Sequence, residues 1–520
     1  MSDRQDPLRD EGLTKEAARD VGIVAKGGAV QIVGQVTQRG LGFLFTAIAF
    51  ELLGRAGYGV YRLVAQVLGI AAQLGFAGFN YAAMRFITRA RARRDPGGVK
   101  GAVRTGVAGA LVGSGLVAVV LLVAADALAG RFPNVGDTRS ELVGLIRLGA
   151  PYVPLLALLQ VLRYCTQAYK TMVPSVIVGN VLQPALRFVL GVGVLAAGFQ
   201  VAGALTTLMV SVAAATVAAA WYLGRLMTAE EKSAAPRYQV GEMVRFALPQ
   251  GGASLLGVQS LGLGILVLGA YRGDVAVGLF GAALSLQGPG TVFLGGIVNI
   301  WAPVVSDLYE KGELGRLESL YQTINRWIAT FSFPVFAALM LESDLFLELF
   351  FPKATGAAGA VAVLAAGNLF YTGTGPTGYV LSMTGRPGVN LVNSAAGVGL
   401  YLGLGAWLVP RHGILGMAIV DAAVTALVNT ARVIEAKVLV GVQPFGRSFF
   451  KPVVATVVGA IVLVAWRLVP GDAVWVEVAG LVVASIAYFV VLKRLGVDAE
   501  ERLVIDRIKK RAFKRARTAD

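Results

Sequence analysis

Four arginines sit inside stretches built otherwise from Leu, Val, Ala, Gly and Phe: Arg39, Arg62, Arg163 and Arg187. Few carboxylates are at hand to pair with them. Glu51 and Asp126 are the candidates in this half of the chain, and Glu51 is placed to pair with Arg55 or Arg62. An unpaired cation at the centre of a membrane helix costs about 2.5–3.5 kcal/mol on insertion scales. A chain that keeps several of them is expected to build a polar cavity for an anion. The planar guanidinium fork donates two parallel hydrogen bonds to a phosphate, and a pyrophosphate would engage several forks at once. Arg39 and Arg187 are the best centred, and Arg163 lies toward a helix end.

Amides accompany the arginines at helical spacing. Gln31, Gln35 and Gln38 share a face with Arg39; Gln66, Gln73 and Asn80 with Arg62; Tyr152, Gln160 and Gln167 with Arg163; Asn180 and Gln183 with Arg187. Gln35, Gln66 and Asn180 suit the hydroxyls of a sugar. The competing reading for a lone amide is a hydrogen bond between helices, worth ~0.6 kcal/mol. The second half differs. It carries Gln287, Thr291 and Asn299, then Asn368 and Tyr371, then Asp421, Thr425, Asn429 and Arg432. Asp421 is its clearest mid-membrane carboxylate, suited either to a coupling cation or to a polar partner such as Asn390 or Asn393. Gly288–Pro289–Gly290 and the run from Gly373 to Gly378 predict kinks, because proline removes an i→i−4 bond and glycine permits the bend.

The elements that must position these residues are membrane helices. The 520 residues are 56% hydrophobic and 15% charged, with mean hydropathy +0.68. Soluble domains average about 25% charged residues. About fourteen apolar stretches are long enough to cross ~30 Å of hydrocarbon. The expected spans are 24–50, 58–88, 103–127, 142–168, 173–197, 200–225, 246–270, 276–304, 321–348, 357–383, 388–409, 415–440, 449–469 and 473–492. The fold class is therefore an all-α polytopic membrane protein. Lys and Arg concentrate at 89–104, 225–245, 311–316 and 493–517, which by the positive-inside rule places both termini in the cytoplasm. The same rule explains the net charge of +16 without a nucleic-acid partner.

The polar connection 226–245 divides the first twelve spans into six and six, a sign of an internal repeat. The expected divisions are a cytoplasmic segment 1–22, lobes at 23–228 and 229–441, a helix pair at 442–494, and a basic cytoplasmic tail 495–520. Val504, Ile508 and Ala512 give that tail helical spacing for a membrane surface, against the alternative of a disordered tail. The single cysteine, Cys165, is a packing residue within a span, and the single histidine, His412, falls in a short loop. They assemble no disulfide or Cys/His metal site. No G-x-x-x-x-G-K-[ST] phosphate loop occurs, and no cofactor is expected.

Several segments carry a family resemblance. Phe50-Glu-Leu-Leu-Gly-Arg-Ala-Gly-Tyr-Gly59 resembles the "LG…YG" turn after the first helix of polysaccharide and oligosaccharide (Wzx-type) flippases. Phe76-Ala-Gly-Phe-Asn-Tyr-Ala-Ala-Met-Arg-Phe86, Arg245-Phe-Ala-Leu-Pro249, Trp301-Ala-Pro-Val-Val-Ser-Asp-Leu-Tyr309 with Tyr321 and Arg326, and Pro410-Arg-His-Gly-Ile-Leu-Gly-Met-Ala418 are similar to later stretches of the same family, in order. The chain thus resembles the multidrug/oligosaccharidyl-lipid/polysaccharide exporter superfamily over roughly 20–440. The resemblance implies two six-helix lobes in a V around a central cavity, plus two C-terminal helices. It also implies a non-enzymatic flippase of the inner (cytoplasmic) membrane. Such a flippase moves a polyprenyl-pyrophosphate-linked glycan to the outer leaflet beside glycosyltransferases or a polymerase of the same pathway. Glu51, Phe76 and Gln259-Ser260-Leu261 depart from positions where many relatives carry Arg, Asp and Asp, which counts against an inherited cation-coupling site. Rival readings are a lipid II flippase, a cation-coupled multidrug exporter, and a membrane glycosyltransferase or polymerase. A drug exporter for organic cations would need an acidic cavity. An enzyme would need paired carboxylates, and the outer loop 128–141 offers only Asp137 and Glu141.

Overall fold

The structure is a computed structural model that describes residues 7–255, 262–470 and 473–496. Gln259, Ser260, Leu261 and the tail from 497 lie outside the described residues, as does the side chain of Asn299. Apolar runs of membrane length form helices because lipid offers no partner for a free backbone amide. Ten helices among the described residues are long and apolar enough to cross a membrane, or eleven if Asp274–Leu286 and Gly288–Val298, bent by 57°, make one span. Two of these runs are double. Pro7–Phe76 reverses at Gly54 (φ 70°), and Pro387–Glu435 reverses at Gly413 (φ 58°). Separating them, and counting the seventh span as Val240–Leu255 with Leu263–Arg272, gives about fourteen spans, as the sequence predicts. The first helix begins at Pro7, well before the expected start at 24. His412 stands in a helical run one residue before the Gly413 reversal, not in a loop, because Gly413 alone absorbs the left-handed turn. Cys165 is fully buried.

Two six-helix lobes form a V around a central cavity, with the pair Phe450–Trp466 and Val474–Arg494 outside them. That pair is held to the ninth span, Leu314–Leu341, by the Tyr488 hydroxyl donating to the Thr330 carbonyl at 2.8 Å. Two faces of the molecule differ. The basic face carries the connections near 93–95, 227–239 and 311–313. There the inter-lobe linker is strapped to the first lobe rather than free. Lys100 Nζ donates to the carbonyls of Lys232 and Ala234 at 2.5 and 3.0 Å, and Arg237 pairs with Asp95 at 3.1 Å. Glu231, buried in a capping box with Thr228, meets Arg91 at 3.3 Å and accepts from the Tyr169 hydroxyl at 2.8 Å. Burial, with Glu231 beside it, holds the Tyr169 phenol well above the ordinary tyrosine range.

At the opposite face the lobes are tied together. Lys353 of the second lobe pairs with Glu51 of the first at 2.7 Å and also donates to its carbonyl. Arg55 donates to the Lys353 carbonyl. Glu51 therefore pairs with neither Arg55 nor Arg62: it projects across the lobe boundary and meets Lys353. Backbones close the same seam. A methyl group on Gly59 would stand 1.9 Å from the Asp274 carbonyl oxygen, and one on Gly278 would stand 2.1 Å from that of Arg55, so only glycine admits this approach.

Candidate cationic cavity

A cavity of about 1090 Å³ lies between the lobes. Arg39, Arg62, Arg163, Arg187, Gln35, Gln66, Asn180 and Asp421 all line it, together with Gln31, Gln38 and Gln183. The rows read from the sequence reach it unevenly. Gln73 and Asn80 do not line it; Asn80 is buried beyond a break at Ala77–Gly78, where the helical register is lost. Tyr152, Gln160 and Gln167 also miss it, and Gln167 instead donates to Ser175 Oγ at 2.8 Å.

The fifth span shows how local sequence places a charge. Proline has no N–H, so Pro184 leaves the Asn180 carbonyl without its helical bond, and residues Ile177–Leu182 widen into a π turn. That turn presents Asn180, whose Oδ1 accepts from Arg163 Nη2 at 2.9 Å. Arg163 Nε also donates to the Ser175 carbonyl at 3.2 Å. The guanidinium lies across Gly179, where a methyl group would come within 2.1 Å of its central carbon. Arg187, farther along the same span, donates to the Tyr61 hydroxyl at 2.6 Å and lies 4.5 Å over the Phe45 ring.

Arg39 reaches across the cavity. Its Nη1 donates to the Gly288 carbonyl at 3.1 Å and to Thr291 Oγ1 at 2.5 Å. These acceptors sit where Gly288 and Pro289 break the eighth span. Among the described residues, none of the four arginines meets a carboxylate within ion-pair distance. Asp126, the other candidate partner, pairs with Arg139 at 2.5 Å. The Nε atoms of Arg62 and Arg187 are buried without a hydrogen-bond partner. Buried donors left without a partner are a standing cost to the fold.

From the second lobe come Gln287, Thr291, Asn368, Tyr371, Tyr379, Tyr401 and Asp421. Asp421 Oδ1 accepts from the Tyr401 hydroxyl at 2.9 Å, so its partner is neither Asn390 nor Asn393. Those two bond Ser382 and Glu435, because both point into the packing between neighbouring helices of their own lobe. Arg432, on the sequence row of Asp421, does not line the cavity and instead donates to Ser394 Oγ at 3.2 Å. Tyr61, Phe45, Tyr379 and Tyr401 were not legible as site residues. A lone aromatic in an apolar helix reads as packing, and nothing in its spacing marks it otherwise. Among the described residues no group of three or more His, Cys, Asp or Glu side chains is placed to hold a metal ion.

A helical V of two six-helix lobes around a polar cavity defines a multi-pass membrane transporter fold. The chain belongs to the polysaccharide biosynthesis protein family, whose model matches residues 24–309. No curated protein sequence matches it. Solved structures share the fold at low identity. The lipid II flippase MurJ in an inward closed conformation superposes with a TM-score of 0.73 at 9% identity, over 88% of this chain and 97% of that one. An inward-facing multidrug resistance MATE family transporter of the MOP superfamily gives 0.65 at 17%, over 79% and 98%. A MOP superfamily transporter from Pyrococcus furiosus, described as having a binding pocket of reverse polarity, gives 0.57 at 17%, over 81% and 95%.

Proposed function

We propose that the protein is a flippase for a polyprenyl-pyrophosphate-linked oligosaccharide or polysaccharide repeat unit. It would carry the headgroup from the cytoplasmic to the outer leaflet for cell-surface polysaccharide assembly. One observation carries this reading: four arginines, with no carboxylate partner among the described residues, converge on a cavity between the lobes. Bidentate guanidinium donors suit a pyrophosphate, and the adjoining glutamines and Asn180 suit sugar hydroxyls. The family match supports a glycan-assembly role. The prenyl tail stays in lipid while the headgroup occupies the cavity, so no covalent chemistry is needed.

On this reading the basic face is cytoplasmic, and the Lys353–Glu51 tie closes the outer side. Transport then requires that tie to open as the basic face closes. Outward movement of an anion is favoured by an inside-negative potential, by about 2.3 kcal/mol per charge per 100 mV. A lipid II flippase is the second reading, favoured by the superposition on MurJ and served by the same pyrophosphate chemistry. The test is reconstitution into proteoliposomes with a fluorescent short-chain prenyl pyrophosphate disaccharide. The reading expects translocation that grows with an imposed potential. It fails if the labelled lipid crosses no faster than in protein-free vesicles.

A further inference from the structure

The cavity's two walls differ in kind. Among the described residues, every cationic side chain lining it comes from the first lobe. The facing wall, drawn from residues 262–421, has no lysine or arginine among the described residues. It brings three phenols, Tyr371, Tyr379 and Tyr401, and one carboxylate, Asp421. The hydroxyls of Tyr371 and Tyr379 have no hydrogen-bond partner among the described residues. Tyr401 occupies Oδ1 of Asp421, and Oδ2 has no protein donor among the described residues.

This is a sugar-binding chemistry rather than a phosphate-binding one. A tyrosine ring offers an apolar face to the C–H face of a pyranose, while its hydroxyl bonds a ring hydroxyl at the edge. An ionised carboxylate accepts from hydroxyl or ammonium donors and repels a second carboxylate strongly where water is scarce. At about 1090 Å³ the cavity exceeds the ~300–1,000 Å³ typical of small-molecule pockets. It has room for sugars beyond the pyrophosphate.

We infer, on the flippase reading, that the headgroup lies with its pyrophosphate on the first-lobe wall and its first sugars on the second-lobe wall, where Asp421 admits neutral and amino sugars and excludes uronates. Asp421 is then a specificity residue acting by repulsion. A cation site is the poorer account of the same residue. Its one neighbouring hydroxyl is spent donating to it, and the described residues supply no second carboxylate there.

The test uses the full chain in lipid nanodiscs and four probes: citronellyl pyrophosphate alone, and the same lipid carrying a disaccharide that ends in a hexose, a hexosamine or a hexuronate. The wild-type protein is expected to bind the hexose and hexosamine forms about tenfold more tightly than the hexuronate form. Asp421→Asn keeps an acceptor for Tyr401 but removes the charge. It is expected to narrow that ratio to about threefold or less, chiefly by tightening the hexuronate form. Equal wild-type affinities, or a ratio that Asp421→Asn leaves unchanged, would overturn the inference while leaving the flippase reading intact. Loss of all four probes in Asp421→Asn would also overturn it, by showing a role other than sugar selection. Failure of bare citronellyl pyrophosphate to bind the wild type would instead remove the flippase reading, and this inference with it.

Discussion

The two lobes share a frame and differ in what they expose. In the first lobe the second span breaks at Ala77–Gly78 and the fourth at Ala150–Pro151. In the second lobe the eighth span breaks at Gln287 and the tenth at Gly375–Pro376, the same ordinal positions. In the second lobe, polar side chains near the tenth-span break satisfy backbone. Asn325 Nδ2 donates to the Gly373 and Pro444 carbonyls at 2.8 and 3.2 Å, and the Tyr321 hydroxyl donates to the Thr374 carbonyl at 3.3 Å. In the first lobe Arg39, Arg62, Arg163 and Arg187 line the cavity with no carboxylate partner among the described residues. A common helical frame thus carries polarity turned to backbone at the tenth-span break and, in the first lobe, cationic polarity turned to the cavity. Charge, not topology, separates the two roles.

The largest effect is expected at the first-lobe arginines. Arg39→Ala and Arg187→Ala should each cut translocation by at least about a hundredfold, since an interaction with a buried anion is worth about 3 kcal/mol or more. Protein abundance in the membrane should stay near normal, as neither arginine has a carboxylate to strand. A matching loss from Asn325→Ala, but with lowered thermal stability, would confirm that the polarity at the tenth-span break is structural.

A smaller effect is expected at Gly179. A methyl group there meets the Arg163 guanidinium, so Gly179→Ala should displace that side chain and weaken binding of citronellyl pyrophosphate about tenfold, within the usual 1–3 kcal/mol range for overpacking. Unchanged affinity would remove Arg163 from the anion-binding wall.

The smallest effect belongs to the seam between the lobes. Lys353 and Glu51 are each about half exposed, and such pairs contribute roughly 0–1 kcal/mol. Lys353→Ala should therefore raise labelling of a cysteine at Thr46, a cavity-lining position, from the tied face by no more than about fivefold. No change would assign the closure to the glycine seam at Gly59 and Gly278 instead.

The spans were legible in sequence because lipid sets both their length and their apolarity, and most described boundaries fall within a few residues of those expected. The arginines stood out for the same reason: a guanidinium among Leu and Val has no cheap explanation. Glutamine rows were only partly informative. Spacing places residues on one face but not which neighbour that face meets, and a break such as Ala77–Gly78 resets the register. The Lys353–Glu51 tie joins residues some three hundred positions apart, and no local pattern encodes it. Asp421 was visible, but its partner was not. Tyr401 lies on the other arm of the Gly413 reversal, and only folding that hairpin brings its hydroxyl to the carboxylate.

The flippase reading rests on the positive charge of the first-lobe wall, and two double mutants test that charge. Arg39→Gln with Arg187→Gln keeps hydrogen-bond donors of similar reach while removing both charges, and Arg39→Lys with Arg187→Lys keeps charge but loses the fork. Translocation of the fluorescent prenyl pyrophosphate disaccharide in proteoliposomes is the measurement. The account predicts near-complete loss with glutamine and partial activity with lysine, at equal reconstituted protein. Full translocation by the double glutamine protein would contradict it.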